Sequence, residues 1–280
     1  METRGPSRAD GVSWLAAIVE SKVREVQALR GTARTRSRRD PLGIGQALHR
    51  GPGGELRLIA EVKLRSPSAG PLSRALDPAT RAAAYAEAGA AMVSVLCDGP
   101  FFDGSWQHLS AVRERLDAAG SRTPLLAKEF VIDLRQIQEA RDRGADAVLL
   151  IARIVDAATL MTLARVARDE GIEPFIEVVD AHELEAALSA DARIVGVNAR
   201  DLDTLAMDAA RAESVLASIP RDVVAVHLSG LRETRDVAGI ARGRADAALV
   251  GEALMRDDDP RPRLRMLVAA GRPPFVSPHD

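Results

Sequence analysis

Glu61 and Lys63 stand in the short apolar run Ile59-Ala60-Glu61-Val62-Lys63-Leu64, which ends in Arg65-Ser66-Pro67-Ser68-Ala69-Gly70. Side chains two apart in a strand leave the same face, so this acid and base project together. Burying both is costly unless they pair with each other or meet a charged ligand. The chemistry on offer is a proton donor and an anion clamp beside a carboxylate; the alternative is a salt bridge with a purely structural purpose. The Ser66-Pro67-Ser68 turn and Gly70 supply free backbone N–H groups suited to covering an anion.

Lysine occurs only at positions 22, 63 and 128, with arginine at every other basic position. Lysine is a compact charge that can give up a proton, which arginine effectively cannot. Lys63 and Lys128 both fall where strand-like runs end, which marks them for chemistry. Lys22 lies in an amphipathic segment and is expected on the solvated surface. His49, His108, His182, His227 and His279 lack ligand spacing, and Cys97 has no partner cysteine. His227 reads as a packed histidine, not a catalyst. Neither a P-loop nor a Gly-x-Ser-x-Gly elbow occurs, and Gly43-Ile44-Gly45 lacks the rest of a dinucleotide fingerprint.

Strand-like and helical patterns alternate regularly along the chain. Strand-like runs appear at 56–63, 91–97, 124–130, 145–152, 173–179, 193–200, 223–229 and 245–251. Helical patterns follow each, at 77–88, 106–119, 133–143, 156–170, 181–189, 208–218, 232–242 and 260–269. Asp77-Pro78 and Asp133 mark helix starts, and Gly89, Gly120, Gly144 and Gly171 mark helix ends. An open doubly wound sheet and a closed (β/α)8 TIM barrel both fit. Eight units of similar length without a compositional break favour the barrel. Ahead of it, Val12, Leu15, Ile18, Val19, Val23, Val26 and Leu29 predict an extra N-terminal helix packed across the barrel. The expected division is residues 1–55 for that helix and its linker, 56–272 for the barrel and 273–280 for a tail. The arginine run 34–39 reads as a solvated linker.

A chain of 280 residues with a formal net charge of -2 is not drawn to nucleic acid or anionic membranes by bulk charge. Few aromatics argue against a base-stacking surface. One cysteine fits a reducing compartment, no run is long enough to span a membrane, and Met1–Asp10 carries no apolar signal core, so a cytoplasmic location is expected.

In such barrels the working residues stand at the C-terminal strand ends. Those ends here carry Glu61 and Lys63, then Ser94 and Cys97, Lys128-Glu129-Phe130, Glu177, Asn198-Ala199-Arg200-Asp201, His227-Leu228-Ser229-Gly230, and Gly251-Glu252. The loops after the seventh and eighth strands commonly seat a phosphate on backbone N–H groups, and Ser229-Gly230 with Gly251 suit that. Tight turns would explain the same glycines.

These residues resemble the indole-3-glycerol phosphate synthase family. The marks are Glu61-Val62-Lys63 with Ser66-Pro67-Ser68, Phe101-Phe102-x-Gly104-Ser105, Lys128-x-Phe130, Gly144-Ala145-Asp146, Glu177-Val178, Asn198-x-Arg200-Asp201-Leu202, Ser229-Gly230 and Gly251-Glu252. The resemblance implies a cofactor-free and metal-free reaction. In it, 1-(2-carboxyphenylamino)-1-deoxyribulose 5-phosphate closes to indole-3-glycerol phosphate with loss of carbon dioxide and water, a step of tryptophan biosynthesis. It implies Lys128 as general acid, Glu177 in proton transfer during dehydration, Glu61 in support, and Lys63 as a clamp for substrate carboxylate or phosphate that also shares the acid role. Ser66, Asn198, Arg200 and Ser229 would line the substrate site, and Ser229, Gly230, Gly251 and Glu252 would seat phosphate. The only partner implied is a small sugar-phosphate substrate, and a monomer is the expected form.

Four positions depart from the family pattern. Leu228 replaces a glutamate, Ala199 an asparagine, Glu129 an aspartate and Val179 a histidine. A lost carboxylate inside a preorganised site can cost about 10²-fold in rate. Three readings therefore stay open: the synthase itself, a diverged paralogue acting on another aryl-amino sugar phosphate, and a non-catalytic subunit that binds a phosphate ligand.

Overall fold

The computed structural model describes residues 13–29, 42–66, 69–201 and 203–272, so the arginine run 34–39 and the tail 273–280 lie outside the described residues. Eight parallel strands close a barrel: β1 (Arg57–Val62), β2 (Met92–Leu96), β3 (Leu125–Lys128), β4 (Ala147–Ile151), β5 (Glu173–Val178), β6 (Ile194–Asn198), β7 (Val224–Leu228) and β8 (Ala247–Val250). Each is followed by a helix, from Pro78–Glu87 round to Arg261–Ala270. Every expected strand and helix is present, usually a residue or two shorter than its sequence pattern.

Helix ends form where side chains can satisfy free backbone groups. Asp77 accepts from the N–H groups of Ala79 and Thr80, and Asp133 forms a capping box with Gln136. Gly144, at φ +86, ends the helix before β4 with its α-carbon packed on the Arg113 side chain, where a β-carbon would stand 2.5 Å from Cγ.

Alternate side chains of each strand face outward to the helices and inward to the barrel axis. Outward residues such as Val93, Val148, Ile176 and Ala225 join the sheet–helix core. Inward ones, including Ile59, Met92, Leu126, Leu149, Phe175, Val226 and Leu249, fill the barrel. Two N-terminal segments extend this inner column at its ends. The short helix Ile44–Leu48 plugs the N-terminal end with Ile44 and Leu48. Helix Trp14–Ala28 lies over the C-terminal end and adds Leu15 and Ile18.

The plug is tied at two opposite points of the barrel. Asp146, just before β4, accepts from the N–H groups of Leu42 and Leu125 at 2.8 and 2.9 Å. Asp246, just before β8, accepts from Arg50 and Ala225 at 3.3 and 2.9 Å and pairs with Arg244 at 2.7 Å. Asp246→Ala leaves the buried Ala225 N–H without this acceptor and takes the carboxylate from Arg244. The expected loss is about 3 kcal/mol of unfolding free energy, summed from a few broken bonds of about 1 kcal/mol or more each, and urea denaturation reads it.

Candidate active site

β1 ends with Glu61 turned into the barrel and Lys63 just beyond the strand, and Lys63 Nζ lies 2.7 Å from Glu61 Oε1. The other Glu61 oxygen is 3.6 Å from Lys128 Nζ at the end of β3. Lys128 Nζ is also 3.7 Å from Glu177 Oε2 on β5. The result is a chain of alternating charge, Lys63–Glu61–Lys128–Glu177, across the floor of a cavity at the C-terminal end of the barrel.

Glu177 continues into a hydrogen-bond network. Asn198 Nδ2 donates to Glu177 Oε1 at 2.9 Å, and Asn198 Oδ1 accepts from Ser229 Oγ at 2.8 Å and from the Arg200 N–H at 3.0 Å. One amide thus orients the carboxylate of β5 and joins the loops after β6 and β7. Arg200 also donates to the Leu205 carbonyl at 3.1 Å, which folds the β6 loop back on itself. That loop is further held by Asp201. Its carboxyl is pulled down to about 2, chiefly by the Thr204 N–H against the effect of burial, and then by Arg153.

Burial pushes the Glu61 carboxyl up, but Lys63 and then Lys128 outweigh it and keep the group below its ordinary range. Burial likewise opposes the Lys128 ammonium, and Glu177 and Glu61 overcome it, so Lys128 holds its proton more tightly than a free lysine. At neutral pH the floor therefore carries an ammonium between two acidic side chains.

Glu61, Lys63, Ser66, Lys128, Glu177, Asn198, Arg200, Ser229, Gly230, Gly251 and Glu252 line this one cavity, Gly70 does not, and Pro67 and Ser68 lie outside the described residues. Ser229 and Gly230 both take positive φ, 67° and 88°, and form the turn after β7. Gly251 has a further reason to be glycine, since a β-carbon there would stand 2.5 Å from Glu61 Oε1. The Glu252 carboxylate bonds Arg256 at 2.6 Å, which leaves its backbone, at the start of the Glu252–Met255 turn, as the part free to meet an anion. His227 lies outside this set. Burial lowers its pKa, and its Nε2 meets the Ser229 carbonyl at 3.0 Å behind the turn.

The walls and roof were not read from the sequence. Leu96, Leu149, Ile151, Leu228 and Leu249 form an apolar wall, Leu205 and Leu231 stand at the rim with Arg232, and Trp14, Leu15 and Ile18 roof it. Period-two alternation could have marked Leu149, Ile151 and Leu249 as inward-facing, but not the roof.

Lys22 corrects its sequence reading. It is 1% exposed, with Nζ 2.6 Å from Asp98, 2.9 Å from Glu129 and 2.8 Å from Glu25. The missed signal is its place in the buried stripe Leu15, Ile18, Lys22, Val26. Burial raises the Glu129 carboxyl to about 7, with Lys22 opposing and Asp98 reinforcing the rise. Among the described residues no group of three or more His, Cys, Asp or Glu side chains is placed to hold a metal ion. No helix among them is long and apolar enough to cross a membrane.

The sequence profile described as "Indole-3-glycerol phosphate synthase" matches residues 13–267. The chain belongs to the indole-3-glycerol phosphate synthase family. A relative of that name from Kineococcus radiotolerans is 45% identical over 221 residues, 79% of each chain. Indole-3-glycerol phosphate synthase 1 of Streptomyces coelicolor is 40% identical over 267 residues, 95% of each chain. In fold alone the structure is similar to a 3-hexulose-6-phosphate synthase, with TM-score 0.59 at 17% identity, covering 77% of this chain and 99% of that one. A thiamine phosphate pyrophosphorylase from Pyrococcus furiosus gives TM-score 0.59 at 13% identity, covering 77% and 95%.

The four departures from the indole-3-glycerol phosphate synthase pattern now separate by place. Ala199 and Val179 are buried outside the cavity lining, whereas Glu129 and Leu228 are part of it. Leu228 lies over Gly196, its Cδ1 2.7 Å from where a β-carbon of residue 196 would stand, and is part of the cavity wall.

Gly251→Ala tests the packing at the floor. A methyl group placed against Glu61 has to displace that carboxylate, so the variant is expected to lose about 1–3 kcal/mol of stability in urea, the cost of overpacking a tight site.

Proposed function

We propose that this chain is an indole-3-glycerol phosphate synthase, a cofactor-free lyase that closes 1-(2-carboxyphenylamino)-1-deoxyribulose 5-phosphate to indole-3-glycerol phosphate in the cytoplasm. The observation that carries the reading is the Lys128 ammonium set between Glu61 and Glu177 at the floor of an apolar-walled cavity. The substrate has an aromatic ring, a ketone and a phosphate, and the cavity offers a partner for each.

In the proposed pose the aryl ring lies against Leu149, Ile151, Leu228 and Leu249, and the phosphate takes the backbone amides of Ser229, Gly230 and Gly251–Glu252 with Arg232 close by. Lys63 meets the substrate carboxylate. Lys128 donates its proton to the ketone oxygen as the ring carbon bearing the carboxylate attacks the carbonyl carbon. The new carbon–carbon bond leaves a cation in the ring system, and carbon dioxide departs with its bonding electrons left to neutralise it. Lys63 then delivers a proton to the hydroxyl, which leaves as water, while Glu177 takes the proton from the neighbouring ring methylene to complete the indole. Lys63 shares the acid role. Glu61 steadies both ammonium groups, and Asn198 keeps Glu177 aimed at them.

Lys128→Ala should lower kcat by about 10³-fold or more with the fold retained, read by indole fluorescence during turnover. An equal rate in the variant would remove Lys128 from the acid role, and absence of turnover in the parent chain would defeat the assignment of the reaction.

The pH dependence has a definite sign. Glu61, held low, contributes stability above its unfolded pKa that is lost as acid titrates it in the fold. Lys128, held high, contributes stability below the ordinary 10.5 that is lost only as pH rises through its folded value. Turnover should therefore show no alkaline break from Lys128 below about pH 9, where a lysine of ordinary pKa keeps its proton. An alkaline break in that range, with the fold unchanged over the same pH by circular dichroism, would contradict the assignment.

A second reading, a paralogue acting on another aryl-amino sugar phosphate, is supported by Leu228 on the cavity wall. Leu228→Glu separates the two. A gain of about tenfold or more on the standard substrate marks a slowed synthase, and no gain favours the other substrate.

A further inference from the structure

We infer that Lys22 is a positioning residue for the substrate cavity, a buried cation that locks the N-terminal helix and two aromatic wall residues into one arrangement. Its ammonium forms ion pairs with Asp98 in the turn after β2 and Glu129 directly after Lys128, beside a hydrogen bond to Glu25 on its own helix, and the Lys22, Asp98 and Glu129 side chains are at most 2% exposed. Both carboxylates hold backbone that carries cavity residues. Asp98 Oδ2 accepts from the N–H groups of Phe101 and Phe102 at 2.8 and 3.2 Å, and Glu129 Oε1 accepts from the Phe130 N–H at 2.7 Å. Phe102 and Phe130 line the cavity with ring centroids 5.9 Å apart.

The same ammonium fixes the register of its own helix, because Lys22 lies one and two turns beyond Ile18 and Leu15 on the buried stripe. Trp14 packs edge-on against Phe101 at 5.1 Å, and the cap residue Ser13 bonds Asp203 in the loop after β6. The helix therefore spans the cavity mouth from the β6 loop to the β2 and β3 turns. Lys22 is its only ion pair to the barrel among the described residues, through Asp98 and Glu129. Lys63, Glu61, Lys128 and Glu177 are held by one another and by Asn198, not by Lys22. Lys22 thus controls the aromatic side and the helical roof of the cavity and leaves the strand-borne leucine wall and the charged floor in place.

The test has one arm that rests on the reaction proposed above and one that does not. In the first, Lys22→Met is expected to raise KM about tenfold or more while kcat stays within about threefold, and Lys22→Arg, which keeps the charge, is expected to recover part of the loss. In the second, with Trp106→Phe in the background, Trp14 becomes the only tryptophan, and its emission is expected to shift to the red in Lys22→Met without any substrate. Lys22→Met leaves two buried carboxylates without their cation. Lys22→Met with Glu129→Gln removes one of those charges and supplies both readouts if the single variant does not fold. A lower melting temperature with KM and Trp14 emission unmoved would overturn the inference and leave Lys22 as a structural ion pair. A parent chain without turnover would defeat the proposed reaction, and the fluorescence arm would still decide the role of Lys22.

Discussion

Charge buried at the end of an apolar tube has to be compensated by other charge, and that constraint organises the working end of this barrel. The inner column is aliphatic and aromatic from Ile44 and Leu48 at one end to Leu249 near the other, so an isolated ammonium or carboxylate there would be expensive. Lys63, Glu61, Lys128 and Glu177 answer by alternating in sign across three strand ends. The arrangement neutralises itself and still keeps a protonated lysine facing the cavity. Stability and chemistry thus rest on the same contacts, and Gly251 is bare because Glu61 fills the space a side chain would need.

The N-terminal segments complete the barrel at both ends by the same means. Below, a two-residue apolar plug is tied through Asp146 and Asp246, each accepting a strand N–H and a linker N–H. Above, the Trp14–Ala28 helix is pinned by Lys22 and supplies the roof. In both places a buried charged side chain fixes direction, while apolar contacts supply area.

The family resemblance and the local departures also divide by place. Ala199 and Val179 pack away from the cavity, where a small or apolar residue fits the core and leaves the floor untouched. Leu228 points to the axis and shapes the wall. A carboxylate at that point would add negative charge beside Asn198 on the neighbouring strand; leucine instead extends the surface formed by Leu149, Ile151 and Leu249.

The order of strands and helices is legible in the residues alone, because period-two and helical patterns, Asp caps and left-handed glycines are local properties of neighbouring residues. The sequence also marked Glu61, Lys63, Lys128, Glu177, Asn198, Arg200 and Ser229, since barrel topology sends strand ends to a common rim. That Lys128 sits between two particular carboxylates, that Gly251 yields space to Glu61, and that Lys22 is buried emerge once the chain is folded. Those facts depend on contacts across the barrel or between the first helix and distant turns, and no spacing along the chain encodes a distance between residues 22 and 129.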